Sequence, residues 1–284
     1  MAVKILCDSS ADFDIEEIKA LDLLYVPIPV MFGDDTYIEG ENITKDEFYE
    51  KLTTNPNFPT TSQPSPAMFL DYFKEAKKNN DEIVAILIPE ALSGTFQNAN
   101  MAKNMSDYDN IHIVDGFNIA AALRILIEHA VKLRDAGKSA ADIALEITKL
   151  RTRTKVYAAL DTLENLYRGG RLSKAAAGIG ELANLKPVVT LDEKGAVAVC
   201  SKAIGKNKAI GNIIKHLDTL ELDYNYPTYF VYSNDSANTL VLKDKLAAAG
   251  YDVSASKLCN LGPTLGTHVG IGAYGIAYVE KELD

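Results

Sequence analysis

The chain has 284 residues, 47% of them apolar, and 39 acidic against 29 basic side chains give it a net charge of −10. That length predicts about two domains with sizeable cores. The acidic balance argues against a reader of nucleic acid backbones, and no apolar run approaches the ~18 residues of a membrane span, so stable membrane insertion is not expected either.

The first half alternates strand and helix signals. Residues 3–8 form a short apolar run that enters the polar turn Ser9-Ser10-Ala11-Asp12 with no signal-peptide layout ahead of it. Residues 23–32 are a second strand candidate, pushed toward an edge or an irregular path by Pro27 and Pro29. Thr44-Lys45-Asp46-Glu47 reads as a capping box, and Ser65-Pro66 as a helix start with proline at the first helical position. Strands over 82–88 and 111–115 are each followed by helical runs, 95–105 and 118–136, which predicts a parallel sheet. After about Thr154 the pattern changes. Six strand candidates fall at 156–160, 186–191, 196–203, 228–233, 252–258 and 271–280, with Asp192-Glu193-Lys194-Gly195 as a hairpin turn. Helices fit at 173–185, 206–220 and 237–249, the last stopped by Gly250. The expected architecture is α/β in two domains. Residues 1–155 form an N-terminal parallel-sheet α/β domain. Residues 156–284 form a C-terminal α+β domain with a mixed, partly antiparallel six-stranded sheet, and the ligand site lies between the two.

The densest signal is the run from Gly262 to Gly275, with five glycines and His268 in fourteen positions. Glycine at that density lets backbone approach a ligand closely. Gly270-Ile271-Gly272-Ala273-Tyr274-Gly275 spells the dinucleotide fingerprint, but it lacks the following helix and the acidic residue that the fold requires. No P-loop is present, the four histidines show no paired spacing, and Cys7, Cys200 and Cys259 are widely separated. Neither a metal nor another cofactor is expected, and the thiols read as reduced in a cytoplasmic protein. Asp8 reads as an acceptor for the amides of its own turn rather than as a phosphatase nucleophile.

Two hydroxyl clusters, Thr61-Ser62 and Ser93-Gly94-Thr95, sit at expected helix starts, where free N–H groups and the helix dipole favour an anion. Ser93 also falls beyond the carboxyl end of a parallel strand, the usual ligand position in open α/β sheets. With Gly266, Thr267 and His268 they form the candidate ligand set. Arg168 and Arg171, around a glycine pair, are candidates for support of the site or for a partner contact, and Asp115 could orient His268. Two other readings stand beside ligand binding. Ser93 and His268 could serve an acyl hydrolase or transferase, although Ala91-Leu92-Ser93-Gly94-Thr95 lacks the glycine before the serine that a nucleophile elbow needs. The site could also take another small carboxylate or phosphate.

Six motifs occur in order: Asp8-Ser9-Ser10-Ala11-Asp12, Thr61-Ser62-Gln63-Pro64-Ser65, Ser93-Gly94-Thr95, Gly169-Gly170-Arg171-Leu172-Ser173, Lys186-Pro187, and Gly262-Pro263 followed by His268-Val269-Gly270-Ile271-Gly272. Together they resemble the DegV family over essentially the whole chain. The resemblance implies a two-domain α/β fold that binds a long-chain fatty acid between its domains. Some members serve as the fatty-acid-binding subunit of a bacterial fatty acid kinase. It implies that Thr61 and Ser93 hold the carboxylate with His268 nearby, and that Arg171 supports that network. The expected protein is then a carrier in phospholipid metabolism rather than an enzyme, presenting its ligand to a separate kinase that supplies ATP.

Overall fold

A computed structural model describes residues 2–173, 175, 185–217 and 221–282. Most of the helix expected over 173–185 lies outside these residues, as does the end of the one expected over 206–220.

A four-stranded parallel sheet has the order β2-β1-β6-β7, from β1 (Val3–Asp8), β2 (Leu23–Val26), β6 (Glu82–Leu87) and β7 (Ile111–Asp115). A six-stranded mixed sheet has the order β10-β9-β8-β13-β11-β12. Its strands are β8 (Thr154–Ala159), β9 (Leu185–Leu191), β10 (Val197–Ile204), β11 (Tyr229–Tyr232), β12 (Lys257–Asn260) and β13 (Tyr274–Val279). Only β11 and β12 pair in parallel. The hairpin at Asp192 forms as expected: its carboxylate accepts from the Lys194 and Ala196 amides, and Gly195 supplies a φ of +77°.

Five layers result. The helices α3 (Pro66–Asn79) and α4 (Thr95–Ser106) cover the outer face of the parallel sheet, where Phe69, Phe73, Ala99 and Ala102 pack on Leu6, Ala85 and Leu87. Between the sheets runs α5 (Ala120–Asp135), with α6 (Ala140–Leu150) beside it. Because α5 touches strands of both sheets, its residues from Ala120 to Ile127 are buried on every side, as an apolar helix in an interior must be. The outer face of the mixed sheet is closed by α8 (Lys206–Leu217) and α9 (Ala237–Ala248).

Several expectations required correction. The run 23–32 is two strands in different sheets. Pro27 and Pro29 have no N–H to continue a ladder, so the chain leaves the parallel sheet after Val26. It re-enters as β3 (Val30–Phe32) in a small antiparallel sheet, β4-β3-β5, with β4 (Asp35–Tyr37) and β5 (Thr60–Thr61). This sheet and α2 (Lys45–Thr54), which opens with the expected Thr44–Glu47 capping box, enclose their own core of Val30, Phe32, Ile43, Phe48 and Tyr49. The strand expected at 252–258 is β12, displaced toward the C-terminus, because the Asp252 carboxylate caps the Ser254 amide and holds a turn there. Two helices, α6 and α7 (Glu164–Arg168), have no counterpart in the sequence reading, and α1 (Ile15–Ala20) follows the Ser9–Asp12 turn. The largest correction concerns the glycine-rich run, which contains the helix α10 (Pro263–Val269).

The order of the parallel sheet puts its topological switch between β1 and β6, the adjacent strands whose connections run to opposite sides. Asp8 fixes this point. Its Oδ1 accepts the Ser10 amide at 2.8 Å and its Oδ2 accepts the Ile88 amide at 2.7 Å, so one buried carboxylate joins the ends of the two strands. The turn-acceptor reading of Asp8 is therefore correct. Asp8→Ala orphans both amides, and chemical denaturation should report a loss of about 1–3 kcal/mol for each.

Candidate functional site

His268 reaches the site from the last turn of α10. Pro263 begins the helix where a missing N–H is harmless, and Gly270, at φ +73°, ends it. Gly266 is needed for a tertiary reason: a β-carbon there would strike the Phe48 ring, so α10 lies directly on α2. His268 Nε2 is 2.8 Å from Oγ1 of Thr61, which β5 presents through its pairing with Val30. Burial, and secondarily the nearby Arg171 cation, push the His268 pKa down to about 4. Its Nδ1 is buried without a hydrogen-bond partner among the described residues and faces Gly169, where a β-carbon would overlap it. A buried N–H without an acceptor is rarer in proteins than an unfilled lone pair, which places the proton on Nε2. Nε2–H then donates to Thr61, and the Thr61 hydroxyl is left to donate outward. A neutral imidazole thus orients a hydroxyl donor.

Ser93 precedes α4. Its Oγ lies 2.7 Å from Thr95 Oγ1 and accepts the Thr95 amide at 3.3 Å. The first-turn amides of α4 have no helical acceptors, so this end offers an anion both N–H groups and the positive pole of the dipole. Arg171 crosses from the segment after α7 to this loop, donating from Nε to the Leu92 carbonyl at 3.0 Å and from Nη1 to the Gly169 carbonyl. Thr264 completes the polar rim, with its Oγ1 2.7 Å from Ser9 Oγ, which in turn accepts the Ile28 amide.

Thr61, Ser93, Arg171, Thr264 and His268 together line one cavity of about 40 Å³. Behind them its walls are apolar: Ile28, Ile88, Leu92, Ile119 and Val197 on one side, with Leu166, Leu265 and Val269 on the other. A cleft of about 360 Å³ beside Phe117 and Arg151 is larger, but none of the residues around His268 lines it.

The remaining candidates have other partners. Thr95 is fully buried behind Ser93, and Thr267 Oγ1 donates to the Pro263 carbonyl inside α10. Gly94 caps α4 and leaves room for the Gln63 side chain. Ser62 holds its strand through its amide to the Pro29 carbonyl and does not line the cavity. Arg168 points elsewhere, stacking on Phe58 at 3.8 Å and pairing with Glu164. Asp115 is not brought to His268, because its carboxylate accepts the Phe117 and Glu90 amides beyond β7. Ser93 and His268 are not hydrogen-bonded to each other; their partners are Thr95 and Thr61.

Sequence reasoning missed Thr264, Ser9 and Asn165, whose Nδ2 donates to the Thr267 carbonyl. Thr264 was findable, since it stands four residues before His268 and shares its face once the segment is a helix.

Fold and site define a three-sheet α/β protein with an apolar cleft at the switch point, rimmed by hydroxyls, an arginine and a neutral histidine. Residues 2–281 match the profile described as "Uncharacterised protein, DegV family". The chain belongs to the DegV family. A DegV domain-containing protein of Caldanaerobacter subterraneus subsp. tengcongensis is 30% identical over 279 residues, spanning 98% of this chain and 99% of its own. Among solved structures, a fatty-acid-binding DegV family protein from Thermus thermophilus aligns with a TM-score of 0.87 at 31% identity, covering 98% of this chain and 100% of its own. The fatty-acid-binding DegV family protein SAG1342 of Streptococcus agalactiae gives 0.89 at 27% identity, with coverage of 99% and 100%. DegV of Bacillus subtilis, a fatty-acid-binding protein, gives 0.83 at 29% identity, with coverage of 99% and 100%.

The geometry makes His268 unusually reluctant to protonate. The unfolded chain takes up its proton near the ordinary value of 6.5 and the folded chain only near 4, so His268 contributes stability above that window that is lost as pH falls through it. The full loss is on the order of 3 kcal/mol. Nitrogen NMR of labelled histidine should show one Nε2–H tautomer that persists well below pH 6.5; a titration centred at 6.5 contradicts the assignment.

Proposed function

We propose that the protein binds a long-chain fatty acid, with its carboxylate at the polar rim and its acyl chain between the apolar walls. The observation that carries this reading is the His268–Thr61 pair, a buried donor set at the mouth of an apolar cleft. In this reading Thr61 and Ser93 donate to the carboxylate, the first turn of α4 adds its dipole, and Arg171 supplies positive charge without an ion-paired carboxylate of its own among the described residues. His268 keeps Thr61 in its donor orientation and takes no proton from the ligand.

Acyl burial provides most of the affinity, at about 0.8 kcal/mol per CH₂. A cavity of about 40 Å³ is far smaller than such a chain, so binding requires the apolar walls to part. The fatty-acid-binding relatives support this assignment by their shared fold and by identities near 30%. In the same reading the bound carboxylate is presented to a separate kinase for phosphorylation, and the protein itself performs no chemistry.

Solvent extraction of the purified protein, followed by mass spectrometry, should recover intact fatty acid near one equivalent. Thr61→Val and Ser93→Ala should each weaken binding of palmitic acid roughly ten- to hundredfold, the loss of one hydrogen bond to a charged group. Unchanged affinity in both variants removes these hydroxyls from the site. Hydrolysis of acyl esters that is lost in Ser93→Ala would replace the carrier with an enzyme.

A further inference from the structure

Away from the polar rim, two carboxyl groups from separate elements meet at the start of α10. Asp12, 1% exposed, accepts the Gly262 amide through Oδ1 at 2.7 Å. Glu39, 7% exposed, lies so close to the same residue that a β-carbon there would fall 2.7 and 2.8 Å from its two oxygens. Asp12 sits in a left-handed turn after β1, and Glu39 on the connection from β4 to α2. Asp12 Oδ2 and Glu39 Oε2 are both buried without a hydrogen-bond partner among the described residues.

The surrounding charges do not balance two anions. Lys45, at the first position of α2, donates to the Asp12 carbonyl at 3.1 Å but pairs with Asp14 at 2.6 Å. Arg124 on α5 faces Asp12, yet it is held by Glu17 of α1 and by Glu128, and it stacks on Phe13 and Tyr229. The other titratable groups nearby are Tyr25 from β2, Tyr49 from α2, Tyr232 from β11 and Cys259 from β12, all held neutral by burial. Three carboxyls, Asp12, Asp14 and Glu39, therefore share the single charge of Lys45, which is paired with Asp14. An uncompensated buried carboxylate is expensive, and such groups keep their protons instead. Burial accordingly raises Asp12 to about 7 and Glu39 to about 8.

We propose that Asp12 and Glu39 form a proton-dependent latch on Gly262. While the pair holds a proton, the unit of β3, β4 and α2 stays docked on α10; when the proton leaves, repulsion drives Glu39 off Gly262 and loosens the helix that carries Thr264 and His268. The folded chain holds more protons than the unfolded chain between the ordinary carboxylate range and about 8, so the latch loses stability as pH rises across that window. A second consequence rests on the fatty-acid reading above: ligand affinity falls with rising pH, above the range in which His268 titrates.

Hydrogen exchange of the purified full chain tests the latch without any ligand. The amides of Gly266 and Gly270 bond within α10 and report its docking. After correction for intrinsic exchange, their protection should fall at least tenfold between roughly pH 6 and pH 9 in the wild type, since Asp12 alone passes through about one pKa unit there. The fall should be smaller in Glu39→Gln and in Asp12→Asn, and absent in the double variant. An equal fall in wild type and variants overturns the latch, as does constant protection in the wild type, which stands as a test even where a variant fails to fold. Palmitic acid binding at the same two pH values then tests the consequence for the site. Palmitic acid that binds at neither pH contradicts the fatty-acid reading, and the exchange result alone decides the latch.

Discussion

The hydrogen bond between His268 and Thr61 joins residues 207 positions apart and belongs to two units that share no strand. Thr61 depends on the small β4-β3-β5 sheet, and His268 on a seven-residue helix too short to persist by itself. That helix exists because tertiary contacts hold it. Phe48 and Tyr49 support it from α2, with the Tyr49 hydroxyl donating to the Leu261 carbonyl. Ser9 meets it at Thr264, and Asn165 bonds its Thr267 carbonyl. If any of these contacts gives way, the imidazole loses its place against Thr61.

The same dependence explains where glycine is required. At 169 a side chain would displace the His268 ring, at 262 it would collide with Glu39, and at 266 it would push α10 off α2. These positions serve close packing around the histidine. Gly275, which completes the nucleotide-like spelling, lies in β13 against the Tyr157 carbonyl and approaches no helix start. Glycine density marked a crowded helix, and the dinucleotide spelling within it is incidental.

Much of the fold was legible because it rests on local signals. Alternating apolar runs and helix starts gave the parallel sheet, and the Asp192–Gly195 turn gave the antiparallel pair in the mixed sheet. Ser93 was reachable because it stands at a helix start beyond a strand end, whereas Thr61, expected at a helix start as well, lies in β5 and reaches His268 through that strand. What stayed hidden depends on contacts distant in sequence. No local pattern reveals that Pro27 and Pro29 send the chain into a third sheet, and α10 was obscured because glycine lowers helix propensity while Phe48 demands it at 266. Asp115 and Arg168 are not brought to the site for a similar reason. Each satisfies its charge locally, Asp115 on loop amides and Arg168 on Phe58 and Glu164.

The central claim is that Thr61, oriented by a neutral His268, and Ser93 hold a fatty-acid carboxylate in its ionised form. Carbon-13 NMR of palmitic acid labelled at its carboxyl carbon, in complex with the protein, tests it most directly. Donors to the charged form favour that form, so the account predicts one bound resonance whose position stays at the carboxylate value well below the pH at which the free acid titrates. That resonance should move in Thr61→Val. A bound carboxyl that titrates like the free acid, or one indifferent to Thr61, would contradict the account.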